Sequence, residues 1–516
     1  MILRVRRTLG VLLWMWLAAA CSGAGAPATW VPARWDGGPL EVAHRANDKA
    51  LADPKVREVI SRWYDPATLS LLEGAPINCL LVTLSAGADA ELEKQQQQLV
   101  KEYARKARER GLAVLGLVYP GAVPSAVALA AVDVQLDGLV LEGEFPGGSG
   151  FAEQLEKTLR SANSSAVVIP VGPAALLRKA AWPVLAAAGV SPGVGQVADG
   201  ATASASGGMW IDSNMWLVRS FRVGSGRPPV WISQRPRASM PGTYVKSIAD
   251  ASAAGGRWIV TLDDGLRARL VRQEAEALAV WRNMGAFLAF FEDHAEWRGF
   301  APYGTIGIIL DTTGPNLAVA EECLILLARS QIAYRVIDRS ELGAQSLAGL
   351  RAVLAFDLAP PTDAERKTLS RFAAEGGLVL GGPSWGTPPK DQAYTVEGAG
   401  RGEVAVYRGN YPDPESLGRD LNDLLNTAEL GVSVFKAPSV LSYVSVSDSI
   451  NRMLIQLVNY AGAPAESLTI WVSGKFSTAR LYTPESAPAD LAVSRSSSRT
   501  EVSVPKLPVF GALLLE

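Results

Sequence analysis

The sequence predicts an α/β chain: a (β/α)8 TIM barrel, then a small doubly wound α/β domain, then a C-terminal all-β sandwich. Between residues 77 and 262 short apolar runs alternate with helix-patterned segments. About eight such repeats is the number at which a parallel sheet closes on itself. A second, shorter alternation begins at Tyr303-Gly-Thr305. From Gly431 onward helical periodicity gives way to short alternating runs separated by turn residues, the pattern of an antiparallel sandwich. A length of 516 residues holds three domains at about 150 residues each.

In chain order, Arg4, Arg6 and Arg7 precede an apolar run over residues 9–20. Its length suits a signal peptide and falls short of the ~20 residues that span a bilayer. The run ends Leu17-Ala-Ala-Ala-Cys21, which resembles a bacterial lipoprotein box. The resemblance implies cleavage before Cys21, lipidation of its thiol, and an exported protein anchored by lipid to a membrane of the cell envelope. Ser22-Gly-Ala-Gly-Ala-Pro27 then reads as a flexible tether. The alternative is an ordinary Ala-x-Ala cleavage site with an incidental cysteine. Residues 22–75 form the tether and an approach segment containing Trp30, Trp35-Asp-Gly-Gly-Pro39 and a helical run over 54–64.

The barrel is expected over residues 76–300. Strand 77–85 leads to an amphipathic helix, 90–110, which Gly111 closes. Gln95-Gln-Gln-Gln98 on that helix reads as a solvated face. Strand 113–119, helix 126–132 and the acidic third strand Asp137-Gly-Leu-Val-Leu-Glu-Gly-Glu-Phe145 follow. Next come helix 151–161, strand 166–172 and helix 174–188. The pattern then loosens, with strands five and six assigned to 193–197 and 209–212. Strand 229–234, helix 243–254, strand 257–262 and a long helix over 266–296 complete the ring. No Gly-x-Gly-x-x-Gly follows the first strand, so a dinucleotide site is not supported.

Composition narrows the chemistry. The net charge is −2 with no Lys/Arg stripe, which argues against a nucleic-acid partner. The two histidines, His44 and His294, are far apart, so a zinc site or a Ser-His-Asp triad is not expected, and no cofactor is implied. Cys79 and Cys323 fall in apolar segments and read as small core residues. Any hydrolysis must therefore rest on carboxylates. Barrel enzymes place reactive groups at strand C-termini, where the candidates are Glu142, Glu144, Asp212, Asp263 and Asp264. Glycoside hydrolysis needs two carboxyl groups flanking the scissile bond. Two residues apart on one strand, Glu142 and Glu144 would lie about 7 Å apart on one face, and so cannot straddle a sugar. One of them is expected as general acid/base, its pKa raised by the other, with Asp263 or Asp212 as the second carboxylate. Trp210, Trp216 and Trp231 could stack on sugar rings, and Arg235 and Asn214 could bind substituents. The plainer reading is that these acids bind backbone NH groups or arginines and that the tryptophans fill the core.

Two further stretches carry a resemblance. Gly307-Ile-Ile-Leu-Asp-Thr-Thr313, Leu327-Ala-Arg-Ser-Gln-Ile-Ala-Tyr-Arg-Val-Ile337 and Ala374-Glu-Gly-Gly-Leu-Val-Leu380 resemble the glutamine-amidotransferase-like domain that follows the barrel in bacterial β-galactosidase-like hydrolases. Gln456-Leu-Val-Asn-Tyr460 and Leu481-Tyr-Thr-Pro-Glu485 are similar to the sandwich that ends them. The resemblance implies boundaries near 301–429 and 430–516, an architectural or oligomerising second domain, and carbohydrate as partner. It implies either an exported glycoside hydrolase or a non-catalytic carbohydrate-binding lipoprotein on a decayed barrel. A structural envelope protein is a third reading. The retaining clan that contains the β-galactosidases has glutamates at the ends of strands four and seven. On this strand count those strands end Pro170-Val-Gly-Pro173 and Ile232-Ser-Gln-Arg235, without a carboxylate. If the count is one short before Asp137, Glu142 or Glu144 moves to strand four, and the second glutamate is still missing.

Overall fold

A computed structural model describes residues 26–516 except 164, 179–180, 198–199, 202–209, 224–227, 237–241, 313, 427, 448–451 and 497. Cys21 and the export segment lie outside the described residues, as does Met209. The chain forms two compact units, one of residues up to 177 with 181–187 and 259–279, the other of the remainder.

The N-terminal architecture is an eight-stranded parallel sheet: β1 (Pro32–Arg34), β2 (Cys79–Ser85), β3 (Ala113–Val118), β4 (Gly138–Glu142), β5 (Val167–Gly172), β6 (Leu185–Ala188), β7 (Val230–Ser233) and β8 (Arg257–Trp258), in that order. Just after β8, Val260 bridges back to Ala33 of β1 in parallel, with Arg34 N donating to Val260 O at 2.8 Å and Val260 N to Pro32 O at 2.9 Å. The strands thus close as a barrel. Every residue of β2 and β3 is buried, as expected of parallel strands covered on both faces. The helix Ala90–Glu109 begins where Asp89 caps Leu92 N at 3.0 Å, and it buries Val100, Tyr103, Ala104 and Ala107 at helical spacing.

Four features differ from the sequence expectation. β1 lies in the stretch that reads as the approach segment: three residues opening on proline and closing on arginine carry no apolar run. Helix 174–188 is a helix only over Ala174–Leu177, and Leu185–Ala188 is the sixth barrel strand. Pro183 cannot continue a helix, and the alanines after it are drawn into the sheet by burial rather than by propensity. Residues 193–197 and 209–212 are not barrel strands. Gly193–Val194 pairs antiparallel with Ile211–Asp212, and Gln196–Val197 with Gly200–Ala201. Two barrel strands beyond those expected and two expected strands that lie outside the sheet offset one another, so the barrel has eight. The acidic strand is consequently the fourth.

Within the second unit, a six-stranded sheet runs Tyr334–Asp338, Ile306–Leu310, Ala352–Leu354, Leu378–Gly381, Gly402–Tyr407 and Tyr394–Ala399, parallel except for the last. The order reverses at its first strand, as in doubly wound folds. Two antiparallel sheets follow, one built on Val440–Val446, Met453–Asn459 and Phe510–Leu515, the other on Ala465–Ser473 and Arg499–Leu507. Val444, Ile455, Leu457 and Leu513 from the first pack with Ile470, Val472 and Val502 from the second in one apolar core, which makes a sandwich. The helix Gly242–Ala253 packs on this sandwich through a buried carboxylate. Asp250 accepts from Ser213 Oγ (2.5 Å), Asn214 N (2.8 Å), Asn214 Nδ2 (2.9 Å) and the Tyr460 hydroxyl (2.6 Å). Cys79 and Cys323 are buried free thiols. Burial pushes the Cys323 thiol up to about 12 and raises that of Cys79 well above its ordinary value, which suits core residues and not nucleophiles.

Candidate functional site

The C-terminal ends of β1, β3 and β4 bring together a charged cluster at the barrel mouth. Arg34, last residue of β1, donates from Nε to Asp36 Oδ2 at 2.7 Å and from Nη2 to the Tyr119 hydroxyl at 2.9 Å, and its Nη1 pairs with Glu142 Oε2. Tyr119, just past β3, in turn donates its hydroxyl to Glu41 Oε2 at 2.9 Å. Thr83 of β2 donates to the same oxygen at 2.8 Å. Arg267, on the helix after β8, binds Asp36 through its carboxylate and, at 2.6 Å, its carbonyl. One guanidinium is therefore shared by two carboxylates and a phenol, with a second guanidinium behind.

Local sequence explains the placement. After β1 the chain turns through Gly37 and Gly38 into the short helix Gly38–His44, which carries Glu41 in its first turn. Gly38 has φ +85°, and a Cβ there would meet Gln96 Oε1 at 2.4 Å, so only glycine fits. Gln96 itself is fully buried. It donates to Gly37 O (3.0 Å) and Thr83 O (2.8 Å) and accepts from Leu40 N (3.2 Å). The solvated reading of the glutamine run fails at this residue, which clamps the loop bearing the cluster.

Burial sets the electrostatics. Asp36 and Glu41 are 1% and 0% exposed. Desolvation, reinforced by Asp36, raises Glu41 to about 6 against the pull of Arg34 and the bonds from Thr83 and Tyr119. Its Oε1 has no hydrogen-bond partner. Desolvation disfavours the charge on Arg34 too, yet Tyr119, Asp36, Glu142 and Glu41 hold its pKa above the ordinary arginine value. Glu142, with a side chain 29% exposed, is the acid of the cluster that reaches solvent. The exposed ring of His44 stacks on Tyr119, centroids 3.9 Å apart and planes 11° from parallel, beside that opening.

The other expected residues separate. β4 ends at Glu142, and Gly143 at φ +111° turns the chain, so Glu144 is exposed beyond the strand and shares no face with Glu142. Period-two spacing fails because the strand stops before its second glutamate. Asp263 caps the helix Asp264–Val271 by accepting from Leu266 N at 2.9 Å. Asp264 forms a two-pronged pair with Arg45, at 2.5 and 3.2 Å. Within the second unit, Asp212 lies on the two-residue strand outside the barrel and accepts from Trp210 Nε1 at 3.0 Å. The Arg329 guanidinium covers the Trp210 ring at 4.8 Å. Asn214 is buried against Val190 and Asp250. Trp231 is fully buried core rather than a stacking wall, and Arg235 is exposed. β7 ends Ser233-Gln234-Arg235, and Gln234 donates inward to Ser247 Oγ at 2.7 Å. No group of three or more His, Cys, Asp or Glu poised to hold a metal ion occurs among the described residues.

Arg34, Asp36, Glu41, Tyr119 and Arg267 were not singled out from the sequence. The available signal was the pair Arg34 and Asp36 flanking Trp35 immediately before two glycines, the mark of a strand end that turns sharply with charges on one side.

No family profile matches the sequence, and no curated protein does. Solved structures do match the fold. α-L-Fucosidase isoenzyme 2 from Paenibacillus thiaminolyticus aligns at TM-score 0.57 and 10% identity, over 87% of this chain and 95% of its own. The cold-adapted β-galactosidase from Rahnella sp. R3 aligns at 0.53 and 11%, over 94% and 98%. The β-galactosidase from Bacillus circulans sp. alkalophilus aligns at 0.51 and 8%, over 95% and 99%. The likeness runs nearly end to end, so the chain has the glycoside-hydrolase-like fold in its β-galactosidase-like layout of TIM barrel, small α/β domain and β-sandwich.

Proposed function

We propose that this protein binds carbohydrate at the mouth of a hydrolase-type barrel without cleaving it. One observation carries the reading: the fourth strand keeps a glutamate, Glu142, while the seventh ends without a carboxylate. Two-carboxylate hydrolysis needs a proton donor and an anion on opposite sides of the bond. Glu142 is committed to an ion pair with Arg34, and the acids that share its cluster are sealed from solvent. What remains accessible suits recognition. A carboxylate oriented by arginine accepts bonds from sugar hydroxyls, and the Tyr119-backed face of His44 offers a flat ring beside it. Titration of the mature chain with a panel of galactosides, fucosides and bacterial envelope polysaccharides tests this. Saturable binding weakened at least tenfold in Glu142→Gln supports the reading, and no binding to any glycan overturns it.

Hydrolysis is the second reading, favoured by the part-exposed position of Glu142 at the end of strand four. It requires a second acid brought in by the substrate or by movement of the chain. We also propose export and lipid anchoring through Cys21, on the signal-like segment that precedes it. Metabolic labelling with palmitate, lost in Cys21→Ala, would support it, and an unlabelled wild-type chain would not.

A further inference from the structure

Three arginines of the second unit face one small cavity, of about 230 Å3, beside Tyr334, Glu341 and Ser346. Arg219, on the helix Met215–Phe221, is 7% exposed. Its guanidinium lies over the rings of Tyr334 (4.0 Å) and Tyr443 (4.9 Å), and its buried Nη2 has no hydrogen-bond partner. Arg335, on the strand Tyr334–Asp338, gives Nη2 to Ala348 O at 2.7 Å and leaves its buried Nε without a partner. Arg222 donates to the carbonyls of Ala254, at 3.3 Å, and Arg298. None of the three makes an ion pair among the described residues. The one carboxylate at the cavity, Glu341, is exposed.

Buried guanidinium groups are normally matched by carboxylates, because an unpaired buried charge is costly. Here desolvation lowers the pKa of Arg335, opposed by the phenol of Tyr303 and by no carboxylate. Stacking on tyrosine accounts for part of the burial of Arg219, but it leaves Nη2 without a hydrogen-bond partner. Such groups form the planar fork that recognises oxyanions. The volume lies below the ~300–1,000 Å3 of pockets that enclose a drug-sized ligand, so the occupant is a compact group and not an oligosaccharide. We infer that this cavity is an oxyanion site for a phosphate or sulfate group, present as the free ion or as an ester on a larger molecule. The inference stands apart from the barrel mouth and does not rest on carbohydrate binding there.

Calorimetric titration of the mature chain at constant ionic strength tests it, with inorganic phosphate, sulfate, glucose 6-phosphate and a chloride control. The expected result is saturable binding of phosphate or sulfate at millimolar concentration or below, with a rise of a few degrees in Tm that chloride does not give. Tenfold tighter binding of the sugar phosphate would identify an ester as the source, and the converse the free ion. Arg335→Met should weaken binding at least tenfold while leaving Tm in chloride unchanged or higher, since it removes a half-buried charge that lacks a carboxylate partner. A purely structural arginine would instead lose the same stability with or without phosphate. Glu341→Gln, at an exposed side chain, should fold normally and bind phosphate more tightly. No heat and no Tm shift with any of the three anions overturns the inference, as does wild-type affinity in Arg335→Met or unchanged affinity in Glu341→Gln.

Discussion

Glu41→Gln tests the charged cluster at the barrel mouth through its proton balance. In the folded chain the pKa of Glu41 is raised to about 6, against 4.5 for the ordinary side chain, because burial and Asp36 outweigh Arg34 and the bonds from Thr83 and Tyr119. The folded state therefore binds this proton more tightly than the unfolded state. By linkage, the contribution of Glu41 to stability is most favourable below pH 4.5 and declines as pH rises from 4.5 to about 6, then stays level. A shift of roughly 1.5 pK units corresponds to about 2 kcal/mol. Glutamine cannot lose a proton, and its carbonyl can still accept from Thr83 and Tyr119. Relative to wild type, the variant should thus gain about 2 kcal/mol between pH 4 and pH 7.5. Hydrogen exchange by mass spectrometry on peptides covering Pro32–Arg34 and Cys79–Ser85, corrected for intrinsic rates, reports this region directly. The reasoning is refuted if the difference between variant and wild type is the same at both pH values, or if the variant loses ground as pH rises.

Other consequences follow from the same contacts. Arg34→Met removes the ion pair of Glu142, leaves Asp36 to Arg267 alone and takes a counter-charge from beside Glu41, and should cost about 3–5 kcal/mol in urea unfolding. Adding Glu142→Gln should recover part of that loss, and strict additivity would show that the pair is not coupled. Asp250→Asn weakens four buried hydrogen bonds from Ser213, Asn214 and Tyr460, and should lower stability by about 2–4 kcal/mol in thermal melts. Gly38→Ala imposes a side chain on a φ of +85° against Gln96. It should cost more than about 1 kcal/mol, and the shorter Gln96→Ala in the same chain should relieve the clash without restoring the loop.

The sequence made the architecture legible where physical signals are strong. Continuous apolar runs at Cys79–Ser85, Ala113–Val118 and Val167–Gly172, and capped amphipathic helices such as Ala90–Glu109, survive any context. The barrel's first and sixth strands were missed because neither looks like a strand in isolation. Pro32–Arg34 is short and polar at its end, and Leu185–Ala188 is alanine-rich, so their pairing comes from neighbours in the sheet. Of the candidate site, Glu142 was readable because an acid ending an apolar strand is conspicuous. Its partners are not, since Arg34 meets Glu142 and Tyr119, and Glu41 meets Tyr119 and Thr83, only through tertiary closure across 42 to 108 residues of chain. Trp231 shows the opposite failure: a tryptophan near a strand end is equally consistent with a sugar platform and a core, and burial decided for the core.

The central claim, a sugar-binding barrel that has lost hydrolysis, is tested most directly by measuring new reducing ends. The mature chain and Glu142→Gln would be incubated side by side with glycans the wild type is found to bind. The account predicts that neither protein releases product while only the wild type retains the ligand. Product released by the wild type and abolished in Glu142→Gln would contradict it and establish a working active site at the end of the fourth strand.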